Sequence, residues 1–306
     1  MIRKANPSNL RQLLADAQLP ALPQSAIRLM RLARDPKNGP PEFAVVIEAD
    51  PGLTAQVLRF VNSSYFGFPT PVLIVRQAIA LVGIKATINF ALWRAIFRLL
   101  PNPMRGLFDL QLFRQDALMR ALFARAFGAM CGLEDVEHLF TAALLQDMAI
   151  PFLIQELPSD YRRLIHERED GKQRLSDLEK RRFGWTHAEA AALLCQAWGL
   201  PQEFVRLIGH HTRLETFLDA EKPAAANLVV SLSALLPASS DGVWSDASQF
   251  LTVYERFRDS GPSMEEFAGQ LDEDFCELAS VLGLKLAGPQ LSDRVTDAGC
   301  PQIQPL

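Results

Sequence analysis

Few residues in this 306-residue chain are of types that do chemistry. It has five histidines, His138, His166, His187, His210 and His211, and four cysteines, Cys131, Cys195, Cys276 and Cys300. The cysteines make no CxxC pair or Cys/His cluster, so zinc-holding and disulfide-redox chemistry have no framework, and the thiols read as reduced ones in a cytosolic protein. No GxSxG elbow, P-loop or HExxH helix is present. Imidazole is what remains. His187 sits inside a Thr186-x-x-Glu189 pattern and His210 and His211 are adjacent, and histidine is a residue type that can ligate metals. Each also has a plain structural reading: His187 packs its ring against neighbouring helices, and His210 and His211 complement a helix C-terminus as cations. His138 and His166 are expected at the surface.

The elements that must position these residues all read as helices. Apolar residues recur at helical spacing, Pro and Gly punctuate them, and no strand pattern emerges, so the fold class is all-α. Pro23 opens a helix to Arg34 with Ile27, Met30 and Leu32 inward. Asp50-Pro51 is an N-cap followed by proline at the first helical position, launching Leu53 to Asn62. Helices follow over Val75 to Val82, closed by Gly83, and over Lys85 to Leu100, stopped by Pro101 and Pro103. Asn102 to Asp109 is the best lobe boundary. Beyond it lie Leu110 to Met130, Val136 to Asp147 and a helix restarted by Pro151. Ser176 with Glu179 and Thr186 with Glu189 form two successive capping boxes. The second opens a helix that ends at Trp198-Gly199, and Pro201 then begins the helix carrying His210 and His211. Weaker helices are expected near Ala224 to Leu236, Asp246 to Arg258, Met264 to Leu271 and Phe275 to Leu282, with a disordered tail over 288–306.

With 49% hydrophobic residues the chain can bury a large core without staples. Its net charge of −4, from 31 basic and 35 acidic residues, offers no global field for nucleic acid or an anionic membrane. The triplet Lys180-Arg181-Arg182 reads as a solvated helix face. The most apolar runs, Phe90 to Leu100 and Thr141 to Ile154, fall short of the roughly 20 residues needed to cross a bilayer. The N-terminus lacks a secretory pattern, so a cytoplasmic location is expected.

Three stretches together resemble one family. The first is Leu19-Pro20-Ala21-Leu22-Pro23-Gln24-Ser25-Ala26, continued by Ile47-Glu48-Ala49-Asp50-Pro51-Gly52-Leu53-Thr54 and Val57-Leu58-Arg59-Phe60-Val61-Asn62-Ser63. The second is Arg76-Gln77-Ala78-Ile79-Ala80-Leu81-Val82-Gly83. The third is Gly184-Trp185-Thr186-His187-Ala188-Glu189, followed by Trp198-Gly199-Leu200-Pro201 and His210-His211. In order and spacing they resemble the HDOD family, bacterial signalling relatives of HD-domain phosphohydrolases. The resemblance implies a two-lobed fold: an HDOD module over 18–215, with an N-terminal lobe 18–108 and an HD-like lobe 109–215. Helices over 216–287 then pack on the HD-like lobe.

The related hydrolases hold a divalent metal with a histidine, a His-Asp pair and a later acidic residue. By this resemblance Gln115 stands at the first histidine, Gln146 at the histidine of the pair, Asp147 at its acid and Ser233 near the last acid. A neutral amide is a poor ligand for transition metals. The expectation is therefore a vestigial pocket of Gln115, Gln146, Asp147, His187, His210, His211 and Ser233, with no metal, no cofactor and no catalytic residue. His187 and His210 or His211 match positions where some two-metal relatives recruit extra histidines. Asp147 has a plain alternative, a buried acid tied to an arginine or a backbone amide. The function implied is non-catalytic signal transduction through protein partners in trans, in two-component or cyclic-dinucleotide signalling. The alternative is a residual metal-dependent phosphohydrolase acting on a nucleotide or cyclic dinucleotide. A pocket that binds a small nucleotide without turning it over is a third possibility.

Overall fold

The computed structural model describes residues 9–17, 20–33, 35, 37–103, 108–218 and 225–299. Every regular element among them is helical, with no strand. The described residues divide into two compact units, one within 19–100 and 276–285, the other within 1–18, 101–275 and 286–306. No single helix among the described residues is long and apolar enough to cross a membrane.

The smaller unit holds α2 (Gln24–Leu32), α3 (Pro40–Glu48), α4 (Pro51–Val61), α5 (Val75–Val82) and α6 (Ile84–Leu99). The start of α4 follows from local chemistry. Asp50 accepts a bond from the Leu53 amide at 3.1 Å, and Pro51 needs no donor at the first helical position. Gly83, at φ 90°, closes α5 in a conformation that a side chain would strain, and the chain turns there by 113° into α6. Helix α2 buries Ala26, Leu29 and Met30, whereas Ile27 and Leu32 are only half-buried. Of the residues expected inward, Met30 is buried, while Ala26 and Leu29 take the buried places expected of Ile27 and Leu32.

The larger unit begins with α1 (Leu10–Asp16) and centres on the packed pair α7 (Leu110–Met130) and α8 (Val136–Leu145). These two approach so closely at Gly128 that a Cβ there would clash with Leu139 Cδ1. Next come α9 (Ile150–Glu156), α10 (Pro158–Glu167), α11 (Leu175–Phe183), α12 (His187–Ala197), α13 (Gln202–His210), α14 (Ala225–Ser233) and α15 (Ala247–Phe257). Phe123 and Phe127 of α7 form an aromatic cluster with Phe250 and Tyr254 of α15, at centroid separations of 5.2 and 5.5 Å.

Three expectations are corrected. The helices expected over Met264 to Leu271 and Phe275 to Leu282 are one, α16 (Met264–Leu282), because nothing between them breaks the helix. The tail carries α17 (Leu291–Gly299), with residues 300–306 outside the described chain. Composition concealed this helix because its cap comes from α16: the Asp272 carboxylate accepts from the amides of Leu291 and Ser292 at 3.0 and 2.9 Å, and Leu291 and Val295 are buried. Finally, α11 already begins at Leu175, so Ser176 is no N-cap and the first capping box does not form.

Candidate functional site

Three helix ends in the larger unit meet at one point. Asp147 lies in the turn after α8, His187 is the first residue of α12, and His211 follows the last turn of α13. The start of α12 is fixed by the capping box of Thr186 and Glu189, where the Thr186 amide donates to Glu189 at 2.7 Å. His187 Nε2 and His211 Nε2 each lie 3.2 Å from Asp147 Oδ1 and 3.1 Å from one another, and all three residues are buried.

The outer nitrogens of both rings are spoken for. His211 Nδ1 is 2.6 Å from the Ile208 carbonyl, which can only accept, so the proton sits on Nδ1 and the Nε2 lone pair faces the centre. His187 Nδ1 donates to Glu179 Oε2 at 2.6 Å. Glu179, expected to cap α11, is instead wholly buried, and its second oxygen accepts the Tyr161 hydroxyl at 2.6 Å. Burial by itself would favour neutral His187, but Glu179 and Asp147 outweigh it and raise the pKa to about 10. His187 is then an imidazolium whose Nε2 proton points at Asp147 and at the His211 lone pair. Burial, assisted by that neighbouring charge, lowers His211 despite the nearby Asp147 carboxylate. Burial opposes ionisation of Asp147, yet Arg120, at 3.0 Å from Oδ2, and the two imidazoles hold its pKa well below the usual range. Two carboxylates, Asp147 and Glu179, therefore face two cations, Arg120 and His187.

The same three donors satisfy the requirements of a divalent ion. Ligands bound at about 2.0–2.2 Å stand roughly 3–3.5 Å apart around a tetrahedral or octahedral metal, and the observed edges are 3.1–3.2 Å. Two imidazole nitrogens and a carboxylate suit zinc or non-haem iron, and among the described residues this is the group of His, Cys, Asp and Glu able to hold an ion. Glu179 and the Ile208 carbonyl supply the outer-shell acceptors that orient metal-binding imidazoles.

The other pocket residues expected from sequence lie elsewhere. Gln115 is buried and accepts from the Ala287 amide at 3.2 Å. Gln146 is buried against Ser233, whose hydroxyl stands 3.4 Å from Gln146 Oε1 and donates to the Val230 carbonyl at 2.7 Å. His210 points away, its ring 6.0 Å from Phe217. The residues that sequence reasoning missed are Glu179, Arg120 and Tyr161; the presence of some arginine on Asp147 was anticipated, but which one depends on where α7 packs.

A cavity of about 460 Å³ opens beside the centre, lined by Asp116, Arg120, Tyr161, Arg168, Arg174 and Trp244 among others. Each arginine is paired with an aspartate of the same cavity: Arg120 with Asp147 at 3.0 Å, Arg168 with Asp241 at 2.6 Å and Arg174 with Asp246 at 3.2 Å.

The family profile of the HDOD domain matches residues 19–214, well over half of the chain. The chain is a member of the HDOD family. Solved structures agree on the fold of this HDOD protein. An HDOD domain protein of unknown function from Geobacter sulfurreducens superposes with a TM-score of 0.71 at 21% identity, covering 90% of this chain and 97% of its own. A protein of Shewanella amazonensis named as a candidate phosphohydrolase gives 0.69 at 20%, covering 89% and 97%. A Marinobacter aquaeolei protein named as a candidate signal-transduction protein gives 0.67 at 23%, covering 92% and 66%. At these identities the likeness is one of fold. No curated protein matches the chain. The metal-hydrolase positions that the HDOD resemblance assigned to Gln115, Gln146 and Ser233 hold amides and a hydroxyl buried in the helical core. The histidines that reach Asp147 are His187 and His211.

Proposed function

We propose that this HDOD protein is a non-catalytic signalling module that acts by binding protein partners in trans, in two-component or cyclic-dinucleotide signalling. The observation that carries the reading is the closed charge balance of the centre and its cavity. Arg120 and the His187 imidazolium supply the two positive charges that a divalent ion would bring to Asp147 and Glu179. Each cavity arginine is already tied to an aspartate, which offsets the positive charge that a phosphoryl group entering there would meet.

The converging donor set favours a second reading, a residual metal-dependent phosphohydrolase. Asp147, His187 and His211 would hold the ion, which when bound would supply Lewis acidity and a water of lowered pKa. In that reading Glu179 holds the His187 ring in register through Nδ1, and Arg120 keeps Asp147 ionised.

Metal analysis of protein purified without a histidine tag separates the two, combined with turnover of a phosphodiester chromogen in added manganese, iron or zinc. The regulatory reading expects less than a stoichiometric amount of any transition metal and no turnover above buffer. Stoichiometric metal with turnover abolished by Asp147→Asn establishes the hydrolase instead.

A further inference from the structure

The chain's charge is unevenly distributed. The unit made of residues 19–100 and 276–285 contains ten basic and five acidic residues, a net +5, which leaves −9 on the remainder of a chain of net −4. The same positive unit holds four of the large apolar side chains that stand exposed: Val45, Leu73, Ile74 and Leu81, at 63, 77, 58 and 47%.

Leu73 and Ile74 are held outward by a specific device. The Asn62 side chain pairs both backbone groups of Val72, accepting from its amide at 2.6 Å and donating to its carbonyl at 2.7 Å, as a neighbouring strand would. Val72 itself is buried, so the next two residues are thrust into solvent on a fixed backbone. Helix α5 continues the surface. It turns Val75, Ala78 and Ile79 inward and leaves Arg76, Gln77, Ala80 and Leu81 exposed, and its main neighbour, α3, contributes exposed Val45. Arg76 makes no ion pair among the described residues. Aliphatic groups presented on a fixed backbone lose little entropy on binding, which is what an interface anchor requires.

We infer that the outer face of α5, with Leu73, Ile74 and Leu81 as anchors and Arg76 at their edge, is the docking surface for a partner protein whose contact segment carries aliphatic side chains flanked by carboxylates. This rests on the regulatory reading above and names the surface and the partner's chemistry. The net +5 of the unit selects an acidic segment over a basic one. Aliphatic anchors with one cation among them suit protein, since single strands are held on aromatic faces and duplexes by rows of Lys and Arg.

The test is fluorescence anisotropy of the full chain with two labelled amphipathic helical peptides, one of Leu and Glu and one of Leu and Lys. The Leu/Glu peptide should bind, weaken about tenfold in the Leu73→Asp/Ile74→Asp variant, and weaken with added salt and in Arg76→Glu. Because these side chains are exposed, circular dichroism should show both variants folded. Four outcomes overturn the proposal: no binding of the Leu/Glu peptide, equal binding of the Leu/Lys peptide, binding untouched by the double variant, or displacement of the peptide by a DNA duplex or anionic vesicles. A wild-type dimer that the double variant dissolves would make a second copy the occupant and also overturn it. The phosphodiester assay on the same preparation keeps the two readings apart. Turnover defeats the regulatory reading whatever the peptide does; no turnover and no peptide binding defeats this surface alone.

Discussion

Glu179 Oε2 lies 2.6 Å from His187 Nδ1 and 2.7 Å from the backbone nitrogen of the same residue. One carboxylate oxygen thus fixes both the ring and the first peptide of α12, and through the ring it sets the charge at the centre. Helix α12 gains an anion at its positive end, where unpaired amides favour negative charge. Removing that charge while keeping the shape should be costly. In Glu179→Gln the buried imidazolium loses its main counter-ion, and we expect a loss of about 3 kcal/mol, in the range for breaking one side of a buried pair. Urea denaturation at pH 7 measures it, and a change below 1 kcal/mol would contradict the assignment of Glu179 as that counter-ion.

His187 makes stability depend on alkaline pH. Its pKa is raised from 6.5 to about 10 on folding. A raised pKa in the folded state means the contribution is complete below pH 6.5 and declines as pH rises toward 10. The melting temperature of metal-free protein should therefore fall between pH 7 and 10, and His187→Gln should flatten that slope while lowering the plateau. Nitrogen NMR at pH 8 checks the charge directly: both His187 nitrogens should be protonated, and a neutral ring there would sink this account.

Arg120 competes with metal for Asp147. Its Nη1 stands 3.0 Å from Oδ2. Replacing it by methionine removes a positive charge from beside the three donors, so zinc affinity measured by calorimetry should rise about tenfold or more, with some loss of metal-free stability because Asp147 is left with fewer counter-charges. Unchanged zinc affinity would mean that Arg120 is not what holds the ion off.

The C-terminal helix should be structural. Truncation after Ala287 removes the caps on α17 from Asp272 and the bonds from Arg294 to the carbonyls of Asp241 and Gly242. It also uncovers Leu291 and Val295 contacts, and we expect about 2–3 kcal/mol of destabilisation from lost burial and capping. Protein of full stability without this segment would show that α17 is dispensable.

Gln146 offers a control. Its Nε2 is buried without a partner among the described residues. An unpaired buried amide costs about 1–3 kcal/mol, so Gln146→Leu, close in volume, should be neutral or stabilising and should leave partner binding intact. Loss of function from a stable Gln146→Leu protein would assign this amide a chemical role.

The all-helical class, the Asp50-Pro51 start of α4, the Thr186–Glu189 capping box and the exact span of α7 were all legible in the sequence, because each depends on residues within a few positions of one another. Membership of the HDOD family was legible for the same reason, in local motifs kept in order. What only the tertiary structure decided is which side chains meet. Ser176 and Glu179 match a capping box letter for letter, yet packing of α10 and α12 against α11 draws Glu179 to Tyr161 and His187 instead. His210 and His211 are equivalent in sequence and differ by about 100° around the helix axis, so only the placement of α13 selects His211. The order of helix starts is a one-dimensional property that caps and prolines encode. The charge balance around Asp147 comes from four segments that sequence keeps apart, and distance in space, which no local pattern records, is what sets it.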